Sequence, residues 1–258
     1  MKNKRPSVAS TTLLALLGAT CLMPATGFLA ATPAMAQQAQ ITVSTFYEAL
    51  APHGRWVRHP SFRYIWCPSV PAGWTPYSSG RWVLTDRYGW TFVSDDPYGW
   101  AVYHYGRWFV QANVGWCWVP GTVWAPAWVS WRRAPDFVGW APLPPARPGI
   151  QIDIDVNINI EQPEDHWVFV PTPQFLAPDL ITVAVPPAER PVIFNQTNIV
   201  GPVTVQNNTI INNVIEVNYI EQATGQTVQP RPVEPVADPA AVAQAGAAAA
   251  AEAGPIPV

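Results

Sequence analysis

The chain has 258 residues, of which only 12% are charged, and its formal net charge is −3. The 30 prolines and 16 glycines interrupt the sequence too often for long helices, so a long-helix bundle is excluded. The low charge leaves few titratable side chains for catalysis, and the lack of a basic run disfavours nucleic-acid binding.

The N-terminus has the features of a secretory signal peptide. Two lysines and one arginine within the first five residues precede an apolar stretch around residues 13–17, and a small-residue cleavage site follows at Ala34-Met35-Ala36. We therefore expect residues 1–36 to be removed between Ala36 and Gln37, and the protein to be periplasmic or secreted. The alternative is an uncleaved membrane anchor. No later segment offers the roughly 18 continuous apolar residues of a membrane span, so we expect no transmembrane segment after cleavage.

An internal repeat is visible in the next part of the chain. The triplet Gly-Arg-Trp recurs at 54–56, 80–82 and 106–108, a spacing of 26 residues. Aromatic residues follow each glycine at two positions that are two residues apart, which is the period of one strand face. Those residues are Tyr64, Trp90 and Trp116, and then Trp66, Phe92 and Trp118. Each unit predicts a β-hairpin, so we expect residues 37–149 to form a mainly β domain, an antiparallel meander or a small barrel.

The aromatic residues must supply most of the core of this domain, because 13 of the 14 tryptophans lie in it and leucine and isoleucine are scarce. We predict that Trp90, Trp116 and Trp118 are buried. Trp128 and Trp131 are three residues apart, which does not fit a regular strand and predicts a bulge or bend.

Cys67 and Cys117 are the two cysteines that remain after signal cleavage. Their positions in the repeat place both on the strand face opposite the aromatic residues. An even pair in an oxidising compartment permits one disulfide, and the alternative is that either cysteine is a small buried side chain.

Six ordered phrases in the repeat region carry a family resemblance. They are SGRWV at 79–83, YGWTFVS at 88–94, PYGWA at 97–101, YHYGRW at 103–108, GWCWVPG at 115–121 and VGWAPLPP at 138–145. Together they make the region from about 45 to 149 resemble the tryptophan-rich domain of unknown function number 6600, found in exported bacterial proteins. The Asn- and Ile-rich segment 207–213 looks similar to the segments that follow this domain. The resemblance implies export and a β fold, and it brings no reaction, ligand or catalytic residue.

The C-terminal half divides into two parts. Residues 150–226 are rich in Ile and Asn, and every even position from 150 to 160 is Ile or Val, which predicts a strand with one apolar face. Further β-prone stretches, kept short by prolines, are 167–170, 181–185 and 192–220. Residues 227–258 are rich in Pro and Ala and predict a disordered tail.

Catalytic chemistry has little support in the sequence. We expect no catalytic residue, cofactor or metal, because no nucleophile elbow, phosphate-binding glycine loop or zinc motif is present. Two weak alternatives are a metal site made by His53, His59 and Cys67, and an acid and base pair made by Asp95 and Asp96. Adjacent carboxylates before a proline more often form a turn.

We favour a non-catalytic exported cell-envelope protein with a structural or protein-interaction role. The alternatives are a module that binds cell-wall or other polysaccharides through exposed Trp and Tyr, and an enzyme of unknown type. The partner would be an envelope protein or a cell-wall glycan, and the oligomeric state is open. Any ligand surface should lie on the Trp-rich domain, around Tyr98, Trp100, Tyr103, Tyr105 and Arg107, and alternation along an extended chain should bring some of these rings to solvent.

Overall fold

A computed structural model of the protein describes residues 43–145, 162–201, 203–206, 209–234 and 256–257. Contacts within the chain divide it into two units, Met1–Ala36 and Gln37–Val258, and every described residue lies in the second. The predicted strand from 150 to 160 lies outside the described residues.

The secondary structure is mainly β, with short helices between the strands. Four hairpins are formed by β1 (Gly54–His59) with β2 (Arg63–Pro68), β3 (Gly80–Thr85) with β4 (Gly89–Ser94), β5 (Arg107–Gln111) with β6 (Gly115–Val119), and β7 (Val129–Arg133) with β8 (Phe137–Pro142). Later strands are β9 (Val168–Pro171), β10 (Asn198–Val200), β11 (Thr204–Gln206), β12 (Thr209–Ile211), β13 (Val233–Glu234) and β14 (Ile256–Pro257). The prediction that each Gly-Arg-Trp unit opens a β-hairpin is confirmed.

The helices are α1 (Val43–Leu50), α2 (Gly99–Val102), α3 (Arg190–Gln196) and α4 (Val217–Thr224). Single 3-10 turns occur at Ala51–His53, Glu164–His166, Thr172–Gln174 and Leu180–Thr182. In the described part of the chain, none of the helices has the length and hydrophobicity needed to cross a membrane.

The hairpins do not assemble in sequence order. One antiparallel sheet has the order β1-β2-β6-β5, a second has the order β10-β7-β8-β9, and β3 and β4 form a sheet of their own. The first and third hairpins therefore pair directly, with Trp66 opposite Trp118, and the second hairpin is left out. The predicted mainly β fold of antiparallel hairpins is confirmed, but the hairpins are divided among separate sheets in place of one continuous meander, and the sheets are not closed into a barrel. The linkers at 69–79 and 95–106 are long enough to let the second hairpin leave the sheet.

The two faces of the first sheet differ as the repeat predicts. Trp66 and Trp118 lie in the main hydrophobic core. Cys67 and Cys117 lie on the other face, where their Sγ atoms form a disulfide between the neighbouring strands β2 and β6. The predicted bridge is therefore present. It joins the two hairpins that sequence order would have kept apart.

One aromatic core connects the three sheets. Trp90 and Trp118 are fully buried in it, as predicted. Trp116 is only partly buried and packs at the edge of the core, so its predicted burial is wrong. The largest buried side chains, all under 2% exposed, are Trp66, Trp90, Trp108, Trp118, Trp131, Trp140, Trp167, Tyr77, Tyr103, Phe46, Phe92 and Phe169. Contacts between aromatic rings therefore supply most of the buried apolar surface that leucine and isoleucine usually supply.

The glycine of the Gly-Arg-Trp triplet has a packing role. A Cβ atom on Gly54 would lie 2.7 Å from the Trp66 ring, and one on Gly106 would lie 2.6 Å from Trp118 Nε1. Gly106 also has a φ of +69°, which favours glycine. The glycine at the start of these hairpins therefore makes room for the tryptophan twelve residues later.

The buried indole N–H groups attach loops and helices to the strands. Trp66 donates to the carbonyl of Leu50 at the end of α1, and Trp118 donates to the carbonyl of Tyr105. Other such bonds run from Trp90 to Ile215, Trp108 to Val102, Trp128 to His104, Trp131 to Asn212 Oδ1, and Trp140 to Tyr77. A buried N–H without a partner is costly, so each of these bonds favours one position for the segment that accepts it.

The C-terminal half is less β-rich than predicted. The stretch 168–171 is a strand as expected, but 181–185 is not, because the Asp179 side chain accepts from the Ile181 N–H and starts a 3-10 turn. Residues 190–196 form α3, with a proline in the first turn, where its missing N–H is not needed.

The beginning of the predicted disordered tail has a defined place. Within residues 227–234, Arg231 donates its backbone N–H to the Leu84 carbonyl, and its own carbonyl accepts from Asp86. Residues 227–234 therefore take backbone partners from the end of β3 and the turn that follows it.

Candidate functional site

The residues predicted to form a ligand surface lie mostly inside the protein. Tyr98, Trp100 and Tyr103 are 7%, 8% and 0% exposed, and Arg107 is 8% exposed. Tyr105 is partly buried. The expectation that alternation brings some of these rings to solvent is wrong for Tyr98, Trp100 and Tyr103, because the chain forms the helical turn α2 there and not an extended segment.

Tyr98 and Tyr103 meet at the carboxylate of Asp96. The Tyr103 hydroxyl donates to Asp96 Oδ2 at 2.8 Å, and the Asp96 backbone N–H donates to Ser94 Oγ at 3.0 Å. Burial raises the pKa of Asp96, and it raises the pKa of both tyrosine hydroxyls. This cluster holds α2 against β4, and its rings do not face solvent.

The neighbouring carboxylates Asp95 and Asp96 have different partners. Arg81 Nη1 lies 3.7 Å from Asp95 Oδ1, whereas Asp96 accepts from the tyrosine cluster. The adjacent pair therefore serves the turn between β4 and α2, and the two carboxylates do not face one common substrate position.

Arg107 is held against an aromatic ring. Its guanidinium carbon lies 3.4 Å from the centroid of the Trp128 ring, and Nη1 donates to the Gly106 carbonyl at 2.8 Å. Burial lowers the pKa of Arg107 to about 10.

Trp128 lies just before β7, while Trp131 lies within it, so the predicted bulge is wrong: the two rings belong to different segments.

The metal alternative is also wrong. The Sγ atom of Cys67 is bonded to Cys117. The Nδ1 atom of His59 accepts backbone hydrogen bonds from Ser61 and Phe62, which stabilise the turn between β1 and β2. Across the described ranges, no group of three His, Cys, Asp or Glu side chains is placed to hold a metal ion.

His104 is held between a backbone carbonyl and an aromatic ring, and its pKa is strongly lowered. Its Nδ1 lies 2.9 Å from the Ala125 carbonyl, so Nδ1 carries the proton of the neutral ring. The ring stacks on Trp124 with centroids 5.4 Å apart and planes at 9°. Burial lowers the pKa of His104 to about 4, against the opposing effect of the Ala125 and Phe92 carbonyls.

We predict a loss of stability in mild acid that depends on His104. The unfolded side chain takes up a proton below its ordinary pKa of about 6.5, whereas the folded one does so only near pH 4. Stability is therefore fully present above pH 6.5 and falls by about 3 kcal/mol between pH 6.5 and 4. Urea unfolding across this range measures it. The His104→Asn variant keeps a donor near Nδ1 and should lack this part of the decline, and an equal decline in both proteins would contradict the assignment.

Two groups of aromatic rings remain at the surface, and both lie outside the segment that the sequence predicts as a ligand surface. In the first, Tyr47 and Tyr64 are 57% and 53% exposed, and Trp56 is partly buried. In the second, the rings of Tyr88 and Trp124 are partly buried, with centroids 4.5 Å apart. A signal for the first group was available: Tyr64 holds the repeat position that is tryptophan in the next two units.

The four hairpins and most of the core aromatic residues lie between α1 and the end of β8, and later residues such as Phe175 complete the core. Residues 47–147 match the model of DUF6600, a family of unknown function. The resemblance stated from the sequence phrases is confirmed over this range. The DUF6600 segment contains the disulfide, the exposed Tyr47 and Tyr64, and the partly buried pair Tyr88 and Trp124. No curated protein and no solved structure matches the chain.

Proposed function

We propose that this protein is an exported, non-catalytic component of the cell envelope with a structural or protein-interaction role. The observation that carries the proposal is the Cys67–Cys117 disulfide in the sheet that joins the first and third hairpins. Disulfides form and persist in oxidising compartments, which fits the signal-peptide features of residues 1–36.

The packing of the DUF6600 segment supports a structural role. Residues of the type that carry chemistry act within the fold: Arg107 covers Trp128, Asp96 accepts from Tyr103, and His59 forms a turn. Their polar groups take part in packing and turn formation. The aromatic scaffold is therefore the part of the protein that would contact a partner.

Cell fractionation tests the exported location. The full chain expressed in a bacterium with a periplasm should appear in the periplasmic fraction, with both cysteines unreactive to thiol reagents after denaturation without reductant. The matched control is the chain from Gln37 with an initiating methionine, which should stay in the cytoplasm with reactive thiols. Recovery of the full chain in the cytoplasm, with two reactive thiols, would contradict the proposal.

A second candidate function is polysaccharide binding. The exposure of Tyr47 and Tyr64, at 57% and 53%, favours it, since flat aromatic faces at the surface suit the apolar faces of sugar rings. The rings named from the sequence, around Tyr98 to Tyr105, do not provide this surface because they are mostly buried. The site has to be sought on the first hairpin and α1.

A further inference from the structure

The register of β1 and β2 places aromatic and basic side chains on one sheet face. Trp56 is opposite Trp66, and Arg58 is opposite Tyr64. Residues two apart on a strand share a face, so all four side chains leave the sheet on the same side. Trp66 is fully buried, whereas Arg58 and Tyr64 are exposed. This face therefore passes from the core at one end to solvent at the other.

Tyr47 from α1 packs on this face at Trp56. Its ring stacks on Trp56 with centroids 5.5 Å apart and planes at 28°. The Trp56 Nε1–H donates to the Tyr47 carbonyl at 3.2 Å, and Trp56 in turn packs edge-on against the buried Trp118. The Tyr47 ring is supported from behind by these contacts while the side chain stays 57% exposed. A ligand that stacks on it has little side-chain entropy to overcome.

The spacing suits a ligand of a few fused or linked rings. Directly opposite strand residues have Cβ atoms about 5 Å apart, and diagonal neighbours such as Trp56 and Tyr64 are about 7 to 8 Å apart. Arg58 is directly opposite Tyr64, and it is the neighbour of Trp56 on the same face of β1. Tyr47, Trp56, Arg58 and Tyr64 together are called the hairpin platform below.

The charge around the hairpin platform selects the kind of ligand. Residues 43–68 contain three arginines and a single acidic residue, Glu48. Arg55, Arg58 and Arg63 are all exposed. Among the described residues, none of the three takes part in an ion pair. Arg58 shares the platform face, whereas Arg55 and Arg63 are opposite Cys67 and His59 and lie on the other face of the hairpin. Arg58 is therefore the direct partner for an anionic group, and the other two arginines add nearby positive charge that disfavours a cationic ligand.

We propose that the hairpin platform binds an acidic saccharide, a glycan whose sugar rings carry carboxylates. The apolar face of one sugar ring stacks on Tyr47 or Tyr64, and the carboxylate of that ring or its neighbour accepts from the Arg58 guanidinium. This inference rests on the second candidate function and names its site and ligand class. It does not depend on the exported location.

Titration with defined oligosaccharides tests the proposal on the full mature chain. The acidic probe is a tetrasaccharide of galacturonic acid, and the neutral probe is the corresponding tetrasaccharide of galactose. Calorimetry should show saturable binding of the acidic probe, with at least about tenfold weaker binding of the neutral one. Tyr47→Ala and Tyr64→Ala should each weaken binding of the acidic probe by about tenfold. Arg58→Gln should remove most of the preference for the acidic probe.

Matched controls come from the second group of surface rings. Tyr88→Ala and Arg87→Gln make the same changes on the turn between β3 and β4, and both should leave binding unchanged within about twofold. Thermal unfolding shows whether each variant keeps the fold. No saturation by either probe up to about 10 mM would overturn the proposal, and so would an effect of Tyr88→Ala equal to that of Tyr47→Ala. Such a result would leave the fractionation test of export unaffected.

Discussion

Replacing Trp118 with alanine should cost the protein about 3 to 5 kcal/mol of stability, whereas the same change at Trp116 should cost only about 1 kcal/mol. Trp118 is 0% exposed, and its ring packs edge-on against Phe46 with centroids 5.2 Å apart. Its Nε1–H also donates to the Tyr105 carbonyl, which would lose this partner. Domains of this size are stable by about 5 to 15 kcal/mol, so the Trp118 variant should lose a large part of its stability.

Trp116 is a close control because it lies two residues away on the same strand and has the same size. It is only partly buried, and its nearest ring partner is His166, with centroids 4.6 Å apart. Urea unfolding followed by far-UV circular dichroism compares the two variants. Equal destabilisation of both would show that the inner face of the first sheet does not distinguish a core position from an edge position.

Removing the disulfide should have the second large effect. The bond between Cys67 and Cys117 closes a loop with a sequence separation of 50 residues. On the chain-entropy account, a cross-link of this length contributes about 4 kcal/mol by restricting the unfolded chain. The double replacement Cys67→Ala and Cys117→Ala should lower the free energy of unfolding by this amount and free the first and third hairpins from each other.

Chemical denaturation of the oxidised protein, the reduced protein and the double variant measures this effect. The reduced protein should match the double variant, since both lack the cross-link and the cysteine positions are buried against Ile65 and Val119 in each case. A loss below about 1 kcal/mol in both would contradict the account that this bond stabilises the pairing of β2 with β6.

The local part of the fold follows from the sequence, and the assembly of the hairpins does not. The spacing of two between aromatic positions predicts the strands of each hairpin and the face on which each side chain lies. Trp66 is on the core face and Cys67 on the opposite face, as this spacing predicts. The order of strands in a sheet depends on which hairpins pair with each other, and this pairing is between residues far apart in the sequence. The β2 to β6 pairing, with Trp66 opposite Trp118, leaves no local signal in the sequence.

The candidate site was harder to predict than the fold. The segment 98–107 contains three tyrosines and an arginine, but this composition does not distinguish a surface from a core that is itself built of aromatic rings. The exposure of Tyr47 depends on α1, where the neighbouring Phe46 is buried and Tyr47 is not. The exposure of Tyr64 depends on where the core ends along β2. Both are properties of the assembled fold.

The intact mass of the unreduced protein, purified from the periplasmic fraction, tests the central claim most directly. An exported protein cleaved after Ala36 should have the mass of a chain from Gln37 to Val258 less two hydrogen atoms for the disulfide. A further loss of one ammonia would reflect cyclisation of the N-terminal glutamine. A chain that retains residues 1–36, or a mature chain with both thiols free, would contradict the proposal that this is an exported, disulfide-closed scaffold of the envelope.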